Sequence, residues 1–339
     1  MQFRHLTLLG ALPLTLAHGP PSPSTPQITQ LFAYPPTNPI FLENLLTLPD
    51  SRLLLSSFSP SLLVYSPGSS TAPAPIFTFP NSTAYTGITS LSPTTFAITG
   101  GIQVGLGFDP STIAVHLFSL PNGSSNPTLI KSIPVPFPLP NGLLALPCNK
   151  TVLLAAESLT GSLLRIDTAT NTVTTILQSA LIAPNQNFFL GINGLAVRPG
   201  RHFDGYLYFT VSSQGYFGRI RISSQGYIPA GSEIEVLAQI QGQVSGGNAF
   251  DDLDFDHTGR SVYVAWQGRR VVKLTEPKTA GQPWSQQVIV DGTEAVGLKG
   301  VTAVKLGKGR GGNRVLFATT GGLDETNTQV GGQLVRIDL

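Results

Sequence analysis

The sequence predicts an all-β chain closed into a single six-bladed β-propeller, and three observations carry that prediction. One short pattern returns six times: a polar residue, apolar positions in alternation, a turn, then a second and a third hydrophobic run. The copies open at Glu43 (ENLLTL), Thr86 (TGITSL), Asn141 (NGLLAL), Asn193 (NGLAV), Asp251 (DDLDF) and Thr302 (TAVKL). The openings lie 43, 55, 52, 58 and 51 residues apart. A period near 50 with strand chemistry is the spacing of propeller blades. Finally, the chain carries almost no capped stretch of helical period. ATNTVTTILQSALIA at 169–183 is the one candidate for a short helix.

Taken in chain order, residues 1–19 read as a secretory signal peptide. Arg4 and His5 precede an apolar run from Leu6 to Leu16, and small residues follow at Ala17 and Gly19. A run of that length is too short to span a bilayer. No later stretch is long enough either, so no membrane span is expected, and localisation is read as secreted or secretory-pathway lumen. Residues 20–39 form a proline-rich extension, expected to cross the outside of the ring. The propeller is assigned to 40–339, with Val and Ile alternating against smaller residues and Pro-Asp, Pro-Gly or His-Thr-Gly at the turns. GGQLVRIDL at the end echoes GSLLRIDTAT and GRIRIS as third strands, and the segment from Gln27 to Tyr34 is its natural partner for closing the ring.

Composition narrows function. Charged residues are 11% of the 339 residues and the formal charge is +2, so nothing points to nucleic acid. The cluster Lys305, Lys308 and Arg310 reads as a solvated turn. Sequons at Asn81, Asn122 and Asn149 fit a glycoprotein. Cys148 is the single cysteine, read as a buried thiol in a fold without disulfides. His116, His202 and His257 are poor catalytic candidates. No Gly-x-Ser-x-Gly elbow, phosphate loop or dinucleotide fingerprint is present, and GGIQVGLG at 100–107 fits none of them.

In a radial array the residue opening each inner strand faces one axial channel. Glu43, Asn141, Asn193 and Asp251 there make a hard-oxygen set of two carboxylates and two amides. Such a set suits a divalent cation, Ca²⁺ or Mg²⁺; the alternative is that the four hydrogen-bond one another and ordered water. Asp252 and Asp254 are weaker helpers, since strand alternation sends Asp252 to the opposite face. Among aromatics near the blade connections (Tyr85, Phe188, Phe189, Tyr206, Tyr216, Phe217 and Trp266), the substrate-lining candidates are Tyr85, Phe189, Tyr206 and Trp266. Tyr85 precedes an inner strand and Trp266 follows one.

The strand openings resemble those of the SMP-30/gluconolactonase-like six-bladed propellers, through Glu43, PNGL at Asn141, INGL at Asn193 and DDLDFDHTG at Asp251. The resemblance covers residues 40–339 and implies Glu43, Asn141, Asn193 and Asp251 as metal ligands, with Ca²⁺ structural or a Lewis acid. Two positions depart from the family pattern: Asn44-Leu45 stands where a small residue and proline are usual, and Asp252 where glycine is usual. ENLL, TGI, GINGLAVR and YLYFT look more like a fungal secreted branch. That branch includes hetero-Diels–Alderases of secondary metabolism, which join a tropolone-derived quinone methide to a humulene-type terpene. The resemblance therefore implies a pericyclase acting on small apolar natural-product substrates. The alternatives are a Ca²⁺-dependent lactonase or esterase with Asp251 as catalytic base, and a non-catalytic binding propeller.

Overall fold

The computed structural model describes residues 26–200, 202–292, 297–308, 314–324 and 328–339, and of Lys308 the backbone only. The expected signal peptide at 1–19 and Arg310 lie outside these residues. Six four-stranded antiparallel sheets form the molecule, and their innermost strands touch in sequence around a ring that closes on itself. Those inner strands are Leu42–Thr47, Ala84–Ser92, Pro140–Ala145, Ile192–Ala196, Phe250–Phe255 and Val301–Lys308. All six polar openings therefore fall on inner strands, one per blade, as the repeat predicts.

Burial explains the strand sequences. Each sheet packs against two neighbours, so the second strands of the blades are covered on both faces and read as unbroken apolar runs. Val152–Glu157 and Ser261–Trp266 show the consequence: all their side chains are buried. Outer strands alternate instead, as in Thr128–Pro134. The core is six separate interfaces, one per blade junction, such as Leu154, Ile192, Leu195 and Phe209 between blades three and four.

The last blade joins both ends of the chain. Gln27–Ala33 pairs antiparallel with Gln333–Asp338 as its outer strand. The propeller thus begins inside the stretch assigned to the 20–39 extension. The candidate helix at 169–183 is a strand, Thr172–Gln178, followed by a single 3-10 turn at Ala180–Ile182. Its β-branched run TVTTI finds an open edge on Ser162–Asp167 and pairs there.

Two features place the channel residues. The ladder of every inner strand slips at its start, between Leu42 and Asn44, Tyr85 and Ile88, Pro140 and Leu143, Ile192 and Leu195, Phe250 and Leu253, and Val301 and Ala303. Each opening residue sits within the slip, outside regular pairing, and a bulge of this kind re-aims a side chain. Glycine follows the opening in blades two, three and four, where a Cβ would lie 2.3 Å from the Asn141 carbonyl oxygen (Gly87), 2.1 Å from that of Asn193 (Gly142) and 2.6 Å from Asp252 Oδ1 (Gly194). Hydroxyls then fasten blade to blade: Thr86 Oγ1 donates to Pro140 O at 2.7 Å, Thr210 Oγ1 to Asp251 O at 2.6 Å and Thr302 Oγ1 to Leu42 O at 2.8 Å.

Elsewhere, Asn81 and Asn122 are exposed, while Asn149 is half-buried with Nδ2 donating to Gln225 Oε1 at 2.9 Å. Cys148 is exposed, against the expectation of a buried thiol, because it lies on the turn after the inner strand of blade three. Lys305 is no solvated turn residue: it sits on the inner strand of blade six, 20% exposed and 3.7 Å from Asp254. Among the described residues no helix is long and apolar enough to cross a membrane.

Candidate functional site

One end of the channel opens into a cavity of about 1020 Å³. Its floor holds five of the six openings: Glu43, Thr86, Asn141, Asp251 and Thr302. Asn193 lies just beneath, buried, hydrogen-bonded to the Asp251 carboxylate and donating from Nδ2 to Ser212 Oγ at 3.0 Å. Side chains more than two hundred positions apart in the chain thus meet at one place. Burial, and then the charges of Asp251 and Asp252, push the Glu43 carboxyl well above its ordinary range. Burial likewise pushes Asp251 up to about 7, against the opposing hydrogen bond from Gln267 Nε2 to its Oδ2 at 2.6 Å.

Asp252 departs from the expected alternation. Because Asp251 and Asp252 share the bulge, both carboxylates are buried near the axis. Asp252 Oδ2 accepts from Asn44 Nδ2 at 2.6 Å, a bond between blades five and one, which are not neighbours in the ring. Asn44 and Asp252, each beside an opening residue, are therefore partners across the channel. Asp254 faces Lys305 one layer further along. Burial pulls the Lys305 ammonium down, but Asp254 and Asp252 outweigh it and leave its pKa raised.

The donor set fits a divalent cation. Neither the Glu43 carboxylate nor the Asn141 side-chain amide has a hydrogen-bond partner among the described residues, although both are buried on the floor. Acceptors held together without donors, beside mutually repelling acids, are what a hard cation relieves. Asp252 is committed to Asn44 and to the Leu253 amide, so among the described residues no three acidic, His or Cys side chains converge. The candidate ligands are then two carboxylates, Glu43 and Asp251, with amide oxygens of Asn141 and Asn193.

The walls are of two kinds. Phe41 and Phe58, stacked with centroids 4.9 Å apart, Leu106, Leu139, Leu190 and the edge-to-face pair Phe188–Phe189 form an apolar side. Gln267, Arg269, Arg270 and Asp291 from blade five form a polar one. Trp266 stands between them, at the end of the second strand of blade five. Its Nε1 donates to Asn248 Oδ1 at 2.8 Å, and the Arg270 guanidinium lies 5.1 Å from its ring.

Of the four predicted lining aromatics, Phe189 and Trp266 border the cavity and Tyr85 and Tyr206 do not. Tyr85 is fully buried in the interface of blades one and two, its hydroxyl donating to Pro60 O and accepting from the Phe79 amide. Tyr206 stacks under Arg219 at 4.2 Å, beside the core of blades four and five. His116 is buried against Phe79 between Ser82 and Ser132, and burial lowers its pKa to about 4. Sequence reasoning missed Phe41 and Phe58. A phenylalanine immediately before the first inner strand and another immediately after its hairpin partner was the available signal.

Solved structures share this architecture. A luciferin-regenerating enzyme superposes with a TM-score of 0.62 at 18% identity, over 93% of this chain and 95% of that one. The major allergen Mala s 1 of Malassezia sympodialis gives 0.61 at 13% identity, over 86% and 91%. A PQQ-bound aldose sugar dehydrogenase of Streptomyces coelicolor gives 0.58 at 13% identity, over 93% and 99%. At such identities the likeness is one of fold. No protein-family model and no curated protein matches the sequence.

Proposed function

We propose that the protein is a secreted enzyme of fungal secondary metabolism, a hetero-Diels–Alderase-type pericyclase joining a polyketide-derived quinone methide to a terpene. The observation that carries the proposal is the cavity: about 1020 Å³, apolar on one side, closing on a floor where the Glu43 and Asn141 side chains have no hydrogen-bond partner among the described residues. Ligand pockets span about 300–1,000 Å³, so this one, at the top of that range, has room for two small reactants side by side. A cycloaddition needs no proton transfer in its bond-forming step; the protein contributes near-attack placement and stabilisation of charge gathering on a carbonyl oxygen. Trp266, Phe189, Phe41 and Phe58 hold the apolar faces and exclude water. Glu43, Asn141, Asn193 and Asp251 would hold the divalent cation, Ca²⁺ as the resemblance of the strand openings implies, with Gln267 orienting Asp251. When bound, such a cation supplies Lewis-acid polarisation of the carbonyl.

The test is to generate a quinone methide in the presence of a terpene and the purified protein. An accelerated or stereochemically altered adduct is expected. An adduct identical in rate and configuration to the protein-free control rejects the pericyclase.

One observation favours a second activity, lactone or ester hydrolysis. Asp251, on the cavity floor with its carboxylate held by Gln267, is placed to take a proton from water. Hydrolysis of a lactone panel that is abolished by chelation and by Asp251→Asn would establish it; a panel left intact would eliminate it.

A further inference from the structure

We infer that the cavity mouth carries a dedicated hydrocarbon subsite, built by the hairpin of blade two together with Phe189, which takes the nonpolar part of the substrates. The inference rests on the proposed function and deepens it by dividing the cavity into a carbonyl end and a hydrocarbon end.

Blades one, three, four and five pass from second to third strand through short turns at 58–61, 158–161, 212–215 and 267–269. Blades two and six use long connections at 102–113 and 321–332, and these flank blade one on its two sides. The connection in blade two folds into its own hairpin, Gln103–Val104 against Gly107–Phe108. Its tip is apolar and uncovered: Val104 is 61% and Leu106 64% exposed. Leu106 is at the same time a wall of the cavity, as are Phe189 at 39% and Leu323 at 36% exposure. The apolar rim is therefore continuous with the site, unlike Val236 and Val288, which are exposed singly on outer strands.

The hairpin is held in place before any ligand arrives. Phe108 is buried against Ala84, Ile113 and Leu139, and its amide donates to Pro138 O at 2.9 Å. The Gln103 amide donates to Thr83 Oγ1 at 2.9 Å and that of Ile102 to Thr112 Oγ1 at 3.0 Å. Gly107 lies flush on the neighbouring segment, where a Cβ would come within 2.8 Å of Pro138 O. A rigid base carrying an uncovered apolar tip is preorganised to receive hydrocarbon. Across the mouth, Gln267, Arg270 and Asp291 offer nothing to an alkyl group, so a substrate with one polar and one nonpolar end has a single favoured orientation.

The probes are γ-lactones with tails from butyl to dodecyl, titrated calorimetrically into the full-length protein. Wild-type affinity should rise about two- to fourfold per methylene until the tail passes the hairpin, then level off. Val104→Ser combined with Leu106→Ser should remove the gain for long tails and leave short-tailed lactones binding as before. Val236→Ser, an equally exposed valine away from the mouth, should change neither. A slope preserved in the double variant overturns the subsite, as does failure of wild type to bind lactones of every length. Turnover is not needed for this result. A slope lost in the variant together with negative cycloaddition and hydrolysis assays would sustain the subsite and overturn only the proposed reactions.

Discussion

At the scale of single residues, the floor acids and the blade-two histidine pull stability in opposite directions with pH. Asp251 titrates near 7 in the fold and near the ordinary carboxylate value of about 4 when unfolded, so the unfolded chain ionises first. Its contribution therefore falls as pH rises from about 4 to about 7, and Glu43 adds to the same trend. His116 stays neutral in the fold down to about pH 4, whereas unfolded it protonates near 6.5. Its contribution falls as pH drops through the same window. In chelator the wild-type stability should fall as pH rises across this window, because two acids, Asp251 and Glu43, oppose one imidazole. Asp251→Asn should flatten the profile and His116→Gln should steepen it, each by up to about 1.4 kcal/mol per pH unit. Denaturant unfolding between pH 4.5 and 7.5 measures both, and slope changes in the same direction for the two variants would refute the assignment. A cation on the floor favours the ionised acids, so Ca²⁺ should raise the melting temperature more at pH 7 than at pH 4.5.

Among elements, the bulge at each inner strand decided what could be read from the sequence. It lifts one polar residue out of alternation, so Glu43, Asn141, Asn193 and Asp251 stood out against their apolar neighbours. The same bulge made the face of Asp252 unreadable, because alternation no longer holds across it. Tyr85 and Tyr206 were misplaced for another reason. Aromatics that fill a blade interface and aromatics that edge the mouth have the same local spacing, and only three-dimensional packing separates them. GGIQVGLG was visible as glycine-rich, but its role as a rim hairpin depends on contacts with Thr83 and Pro138 from other segments.

The bulges also set two contrasts at this scale. Gly142→Ala drives a methyl into the Asn193 carbonyl and should cost upward of about 3 kcal/mol. Gly200→Ala, with its nearest neighbour at 3.5 Å, should stay within about 0.5 kcal/mol. Thr210 accepts from the Gly194 amide and donates to Asp251 O, so Thr210→Val should cost about 1–3 kcal/mol. Thr99 Oγ1, buried without a partner, predicts the reverse: Thr99→Val should be neutral or stabilising. Equilibrium unfolding of the four variants checks both pairs.

For the whole molecule, closure is the decisive event. The strand Gln27–Ala33 covers the edge of Gln333–Asp338, and no disulfide is available to a chain with one cysteine. Removing residues through Ala33 should leave that edge open, lower the melting temperature and promote self-association in size-exclusion chromatography. Unchanged melting and a monomeric profile would show that three strands suffice for the last blade. The ring has one further consequence. Since every axial residue stands outside regular ladder pairing, exchanging it leaves the sheets their ladder hydrogen bonds and their separate cores; at Thr86 and Thr302 alone it also removes a hydroxyl bond from one blade to the next. The other four positions behave as interchangeable sockets on a common hub, so the chemistry of such a protein can be rewritten one socket at a time without renegotiating the architecture that holds it.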